Sequence, residues 1–353
     1  MTDKSVTNEK LVAMIVHIAC AEIRVILDDT GEEIVENYRL TNVLPLAYRI
    51  LEGVISLLVI ESEDNLEMDY AVLSSIRVAL SETFIAVNSF LVERLDLFTL
   101  SPDLSIIDNS TTMISMRAYS KWMCEESDYE FDHVDRLIPL VIIYLSMDKF
   151  ESIDITPIQF LTEILLMISY DAELVDSFVQ KGGFKQLVRQ FVSIYKTMAT
   201  STMISFCSIL TNMFMVKTKI LANIDSNFGN LLVPIADLIT NEQDVTSMDA
   251  IANLSIVFVF LYRAPSGSDF IDTDLASMTV QKILQCASMP TVFENDRDLW
   301  YMALLALTDC ISQTNLSSES KLKAAKQLSK VTDQQSLNAK DQQLIDRLMN
   351  VLV

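Results

Sequence analysis

The chain has 353 residues, half of them hydrophobic, and 48 acidic against 26 basic side chains set its formal net charge at −22. That balance excludes binding to nucleic-acid backbones, which needs Lys/Arg surfaces, and disfavours docking on anionic leaflets by bulk electrostatics; a basic peptide or tail on a protein partner suits the field better. No uninterrupted run reaches the roughly 18 apolar residues of a membrane span, so no transmembrane segment is expected, and the polar opening MTDKSVTNEK does not read as a signal peptide.

Only six Gly and seven Pro occur, and apolar residues recur about every three and a half positions, which predicts an all-α chain. The predicted helices run 8–29, 40–61, 69–96, 111–126, 133–147, 156–169, 171–181, 183–197, 201–222, 228–240, 245–263, 273–288, 295–312, 318–330 and 338–352. The first, EKLVAMIVHIACAEIRVILDD (9–29), is apolar nearly all round, as if something should stack upon it, and is an expected surface for self-association. Asp28-Asp29 with Glu32-Glu33 follows as a solvated loop. ESEDNLEMD (61–69) lacks the central Gly and ligand spacing of a calcium loop and also reads as a solvated interhelix segment.

In TTMISMRAYSKWMCEESDYE (111–130), Ile114, Ala118 and Trp122 stack at four-residue steps while Arg117, Lys121 and Glu125 line the face beside them. Met116, Tyr119 and Met123 widen the apolar side, and Cys124 is expected as a small buried hydrophobe. Acids are unfavourable at a helix C-terminus, so Glu125, Glu126 and Asp128 are expected at the start of the next segment. Pro139 should delay or kink its helix. Thr156-Pro157 and Asp171 are helix starts, Gly182-Gly183 is a helix stop, and Pro265–Ser268 is the clearest loop.

Cys20, Cys124, Cys207, Cys286 and Cys310 lie far apart, as suits free thiols in a reducing compartment, and His17 and His133 fall in unrelated segments. The chain contains no GxGxxG, GxxxxGK[ST], GxSxG or HExxH. No catalytic, cofactor or metal residues are therefore assigned. Met198, Met203, Met213 and Met215 read as core filling, and Asp298, Trp300 and Asp309 as an acidic edge beside a core Trp.

Consecutive helices with short turns, too many for a bundle, predict an all-α right-handed solenoid of armadillo/HEAT-like antiparallel helix pairs, continuous over 1–353. Residues 159–193 resemble one armadillo unit. Residues 319–353 carry six Lys/Arg against four Asp/Glu and form less acidic terminal helices, whereas 61–130 carry fourteen Asp/Glu against four Lys/Arg.

CAEIRVILDD (20–29), LPLAYRILEGVISLLV (44–59) and IRVALSETFIAVNSFLVE (76–93) resemble the neurochondrin family. SMRAYSKWMCEE (115–126), RLIPLVIIYL (136–145), LTEILLMISYDAELVDSFVQKGGFKQLVRQF (161–191) and DLWYMALLALTDCI (298–311) continue it in the same order. The resemblance spans roughly 20–312 and corresponds to the C-terminal half of longer members. It implies a cytoplasmic, non-enzymatic helical-repeat scaffold or adaptor that binds receptor tails and kinase-pathway proteins in neurite outgrowth and synaptic plasticity. The family's N-terminal repeats and lipid-anchoring cysteines are not found here, so lipidation is not carried over. The expected contact residues are Glu61, Glu63, Asp64, Glu67 and Asp69, where charge of one sign concentrates, and the expected partners carry basic or amphipathic segments. The alternative is an assembly chaperone or karyopherin-like carrier, which would need a ladder of Asn or Trp that Trp122 and Trp300 do not make.

Overall fold

A computed structural model of the protein describes residues 8–29, 38–63, 69–126, 130–151, 153–217, 226–241, 248–264, 267–287, 307–308, 322, 325–326 and 339–352. Among them every regular element is helical, and the chain falls into two compact units, Met1–Met167 and Ile168–Val353.

In the first unit α1 (Asn8–Asp29) is followed by a π-helical turn, Arg39–Val43, that runs into α2 (Leu44–Glu63). Then come α3 (Tyr70–Leu100), α4 (Ser110–Glu125) and the shorter α5 (Phe131–Asp135), α6 (Ile138–Ser146) and α7 (Pro157–Phe160); the division between units falls inside α8 (Thr162–Tyr170). Asp69 and Asn109 start α3 and α4 by accepting from Ala71 N and Thr112 N, both at 3.0 Å, which satisfies amides a helix start leaves bare.

The packing has a rule. α1 lies on α3 and α2 on α4, while α1–α2 and α3–α4 contacts join the two rows. His17–Ser75 and Arg24–Glu82 both link α1 to α3 across 58 residues, so those helices run parallel. Pairs Phe84–Trp122 and Asn88–Tyr119 cross between α3 and α4 in opposite order, so those helices are antiparallel. Two rows of helices, each element resting on the one two places along, is the armadillo/HEAT arrangement the sequence predicts.

In the second unit the elements are α9 (Ala172–Gln180), α10 (Gly183–Ile194), α11 (Thr200–Val216), α12 (Ser226–Thr240), α13 (Met248–Arg263), α14 (Thr273–Ala287) and α15 (Ala339–Leu352). Here α9 meets α11, which meets α13, while α10 meets α12, which meets α14: the same alternation. Its core is aromatic. Phe191 and Phe206 stack at 4.2 Å, and Phe178, Phe214 and Phe258 are fully buried.

Several local expectations hold in detail. Thr156 caps α7 ahead of Pro157, Asp171 accepts from Glu173 N and Leu174 N, and Gly182 takes the left-handed conformation (φ +87°) that ends α9. Two predicted helices are each split. Residues 133–147 break after Asp135, and α6 restarts with Pro139 in its first turn; 156–169 breaks at Leu161. The predicted helices 295–312 and 318–330, and with them Asp298, Trp300, Asp309 and Cys310, lie outside the described residues apart from a few positions.

Two helices bear on the expectation of no transmembrane segment. Arg39–Leu58 and Tyr70–Leu100 are long and apolar enough, by length and composition, to cross a membrane. One to three polar residues at a time interrupt the apolar runs in them, as at Ser81–Thr83 and Glu93-Arg94, which is why a search for unbroken runs passes them over. In this unit each packs against α1 and α4, and their Glu52 and Arg77 are held in ion pairs with Arg117 of α4 and with Glu126 at its C-cap. Of the two windows 28% and 33%, respectively, is buried, and length and composition alone are weak evidence for a span.

The Gly-Gly stop supplies a stability prediction. A Cβ at Gly183 would stand 2.3 Å from the ring of Phe178, which is fully buried and has nowhere to swing. Gly183→Ala should therefore cost about 1–3 kcal/mol through overpacking. Gly182→Ala, with open space around it, should lose about 1 kcal/mol to left-handed strain. Thermal unfolding should rank the two variants in that order.

A candidate peptide-binding cleft between α3, α4 and α5

The periodicity of α4 places Trp122, Tyr119, Met123 and Ala118 on its buried side, as predicted, with Met116 fully enclosed. Trp122 stacks on Phe84 of α3 with centroids 5.4 Å apart and planes within 7°, an arrangement favoured when the rings are offset. One turn along, Asn88 donates through Nδ2 to both the Tyr119 hydroxyl and the His133 carbonyl, each at 2.9 Å. A single side chain thus ties α3 to α4 and to the start of α5. Burial pushes the Tyr119 phenol well above its ordinary range, so it stays a neutral hydrogen-bonding group.

Beside this knot lies a cleft of about 100 Å³, lined by Ser81, Ile85, Asn88, Trp122, Glu126 and His133 among others. Ligand pockets for drug-sized molecules and cofactors occupy roughly 300–1,000 Å³, so the cleft has room for one side chain of a partner. Its rim is acidic. Glu130 stands largely in solvent with His133 Nε2 3.4 Å from its carboxylate, and Glu126 closes the other side.

Glu126 corrects an expectation. Glu125 and Glu126 do not open the next segment; Glu125 is the last residue of α4 and Glu126 its C-cap. The cost of an acid at that end is offset by Arg77 of α3, which holds Glu126 through two bonds at 2.6 and 3.3 Å. The same device recurs where Arg117 grips Glu52 of α2 at 2.5 and 2.9 Å. In both pairs the carboxylate is the covered partner, 9% and 14% exposed, and the half-exposed arginine lies over it.

Cys124 is exposed rather than buried as a residue, a second correction. Its Sγ nevertheless donates to the Glu163 carbonyl at 3.0 Å, and burial of the thiol, with Glu163 and Glu125 adding negative field, pushes its pKa up to about 12. Reactive thiols need the opposite environment. Glu163 itself titrates above the usual carboxylate range because burial outweighs the help of Lys121 and Arg117.

The expected acidic contact set is only partly placed. Glu61 and Glu63 belong to the last turn of α2, their side chains lying outside the described ones; Asp64 and Glu67 also lie outside. Asp69 is described, and its carboxylate is engaged in capping α3. Among the described residues no group of three His, Cys, Asp or Glu side chains could hold a metal ion. A second hollow, open and about 540 Å³, is lined by the single segment 148–159, so its polar groups do not converge from different elements.

Removing the knot should be costly. Asn88→Ala leaves the Tyr119 hydroxyl and the His133 carbonyl without this donor, and should lower unfolding free energy by about 1–3 kcal/mol in urea titrations. Glu163 sets a pH signature. Its folded-state pKa is raised, so its contribution is full at acid pH, below the unfolded value, and is lost as pH rises through the folded value. Glu163→Gln should match the parent near pH 4 and exceed its melting temperature at pH 7. Iodoacetamide at pH 8 should leave Cys124 unmodified although the residue is exposed.

No curated protein matches the chain. A designed armadillo repeat protein is similar over 74% of this chain and 98% of its own, at 15% identity and TM-score 0.43. An engineered protein of known crystal structure is similar over 99% of this chain and 96% of its own, at 14% identity and TM-score 0.42. The family model for neurochondrin matches residues 1–293, taking in the whole α3–α4–α5 cleft, and the chain belongs to the neurochondrin family.

Proposed function

We propose that the protein is a non-enzymatic cytoplasmic scaffold that binds basic or amphipathic segments of other proteins. The observation that carries this reading is the disposition of charge in the first unit. Arg24, Arg39, Arg77 and Arg117 are each bonded to a carboxylate of the unit itself. Residues 61–130 carry fourteen Asp/Glu against four Lys/Arg in all, and with Glu82 and Glu126 taken up in these pairs the excess acid is left as an external field. Such a field concentrates and orients cationic partners, and the contact weakens as salt screens it.

In this reading the acidic stretch containing Glu61, Glu63, Asp64, Glu67 and Asp69 attracts the partner, and the cleft at Trp122 and Glu130 accepts one of its side chains. A lysine or arginine fits the cleft's chemistry: an aromatic wall for the stem and the solvent-facing Glu130 carboxylate at the mouth for the head. Family membership supports signalling proteins as partners, including receptor tails and kinase-pathway components, and a role in neurite outgrowth and synaptic plasticity.

Titration of a labelled basic amphipathic peptide tests this. The combined substitution Glu61→Gln, Glu63→Gln, Asp64→Asn and Glu67→Gln spares the capping Asp69 and should weaken binding by about tenfold or more at low salt. Equal affinity in parent and variant, or none in either, would overturn the proposal.

A further inference from the structure

The inside face of α1 is formed by Val16, Ala19, Cys20, Ile23, Ile26 and Leu27, all buried against the rest of the first unit. Its other side carries Leu11, Met14, Ile15, Ile18 and Val25, each between 39% and 56% exposed. A helix resting on one row of neighbours should show solvent a polar face. Five large apolar side chains along one stripe form a contiguous patch of the kind that marks an interaction surface.

The stripe is close to self-complementary. Leu11, Ile18 and Val25 are spaced seven apart, so reversing the helix about Ile18 exchanges Leu11 with Val25 and returns Ile18 to itself. Lys10 and Asp28, both exposed, stand 18 residues apart, five full turns and about 27 Å, and so lie on the same line along the helix. They carry opposite charges at opposite ends. Antiparallel pairing puts each lysine beside the other copy's aspartate, whereas parallel pairing puts lysine on lysine. A two-fold contact demands this kind of self-matching patch.

The surrounding charges do not oppose the approach of a second copy. Between those ends Glu22 is bonded to Arg39, Arg24 to Glu82 and His17 to Ser75. On a chain of net charge −22, the charges of Glu22 and Arg24 are thus neutralised within the unit. Beyond the His17–Ser75 and Arg24–Glu82 seam, Val78 and Ile85 of α3 are also exposed and extend the apolar area.

We infer that α1 is a homodimer face, two copies pairing antiparallel about Ile18 with Lys10 of each beside Asp28 of the other. This stands apart from the acidic surface and the cleft, so it can fail while the scaffold reading survives. Sedimentation velocity of the full chain from about 1 to 100 μM tests it. The expected result is a concentration-dependent shift toward twice the 39.8 kDa chain mass. Ile18→Asp should raise the dimer dissociation constant at least tenfold while circular dichroism and melting temperature stay unchanged. Asp28→Lys should weaken the dimer, and adding Lys10→Asp to it should restore pairing, a rescue that a merely structural defect would not show. A parent chain that remains monomeric throughout, a dimer indifferent to Ile18→Asp, or a monomer that takes up an amphipathic helix on this face instead would each overturn the inference.

Discussion

Each helix of this protein carries more apolar surface than one neighbour can cover. With half the residues hydrophobic and very few glycines or prolines, the helices are long and apolar on more than one flank, and a single antiparallel partner leaves a stripe in water. Resting each element on the one two places along, and joining the rows through the element between, covers both flanks. The same necessity produces the alternation in each unit separately. It also leaves α1 with an open outer stripe, since its neighbours α2 and α3 both pack against it on the inner side.

Polar groups specify how those apolar faces meet. Asn88 sits among Phe84, Val87 and Leu91 on the buried flank of α3, where an amide without partners would be costly. Its two bonds fix the rotation of α4 and the position of α5 together, and that placement opens the small cleft beside Trp122. The two covered carboxylates, Glu52 and Glu126, act similarly: each is tolerable only where its arginine arrives from another helix. Packing register and surface charge are therefore one problem here. Each such pair cancels one base against one acid, so the excess of acidic over basic residues stays outside as the external field.

The helices, their caps and the buried face of α4 were legible because they are local: Thr156, Asp171 and Gly182 act on amides within a few residues, and Trp122 follows from a period of about four. The split at Leu161 was not legible, since the apolar pattern runs through it without a breaker. The cleft was missed because Asn88 and His133 are 45 residues apart; the available signal was one amide in the apolar run FIAVNSFLVE. Glu126 was misplaced for a related reason, as the guanidinium that permits it comes from 49 residues earlier. Cys124 looked buried from its apolar neighbours in sequence, although its position in the last turn of α4 leaves the residue partly uncovered and only its thiol enclosed. The acidic contact set Glu61–Asp69 stood out by charge alone, and charge says where a partner is drawn rather than which atoms it touches.

Hydrogen exchange of the full chain with and without a saturating basic amphipathic peptide tests the scaffold account most directly. The account predicts slowed exchange over residues 61–69 and across the α3–α4–α5 cleft, reversed when salt is raised to about 0.5 M. Protection confined to the second unit, or unaffected by salt, would contradict it.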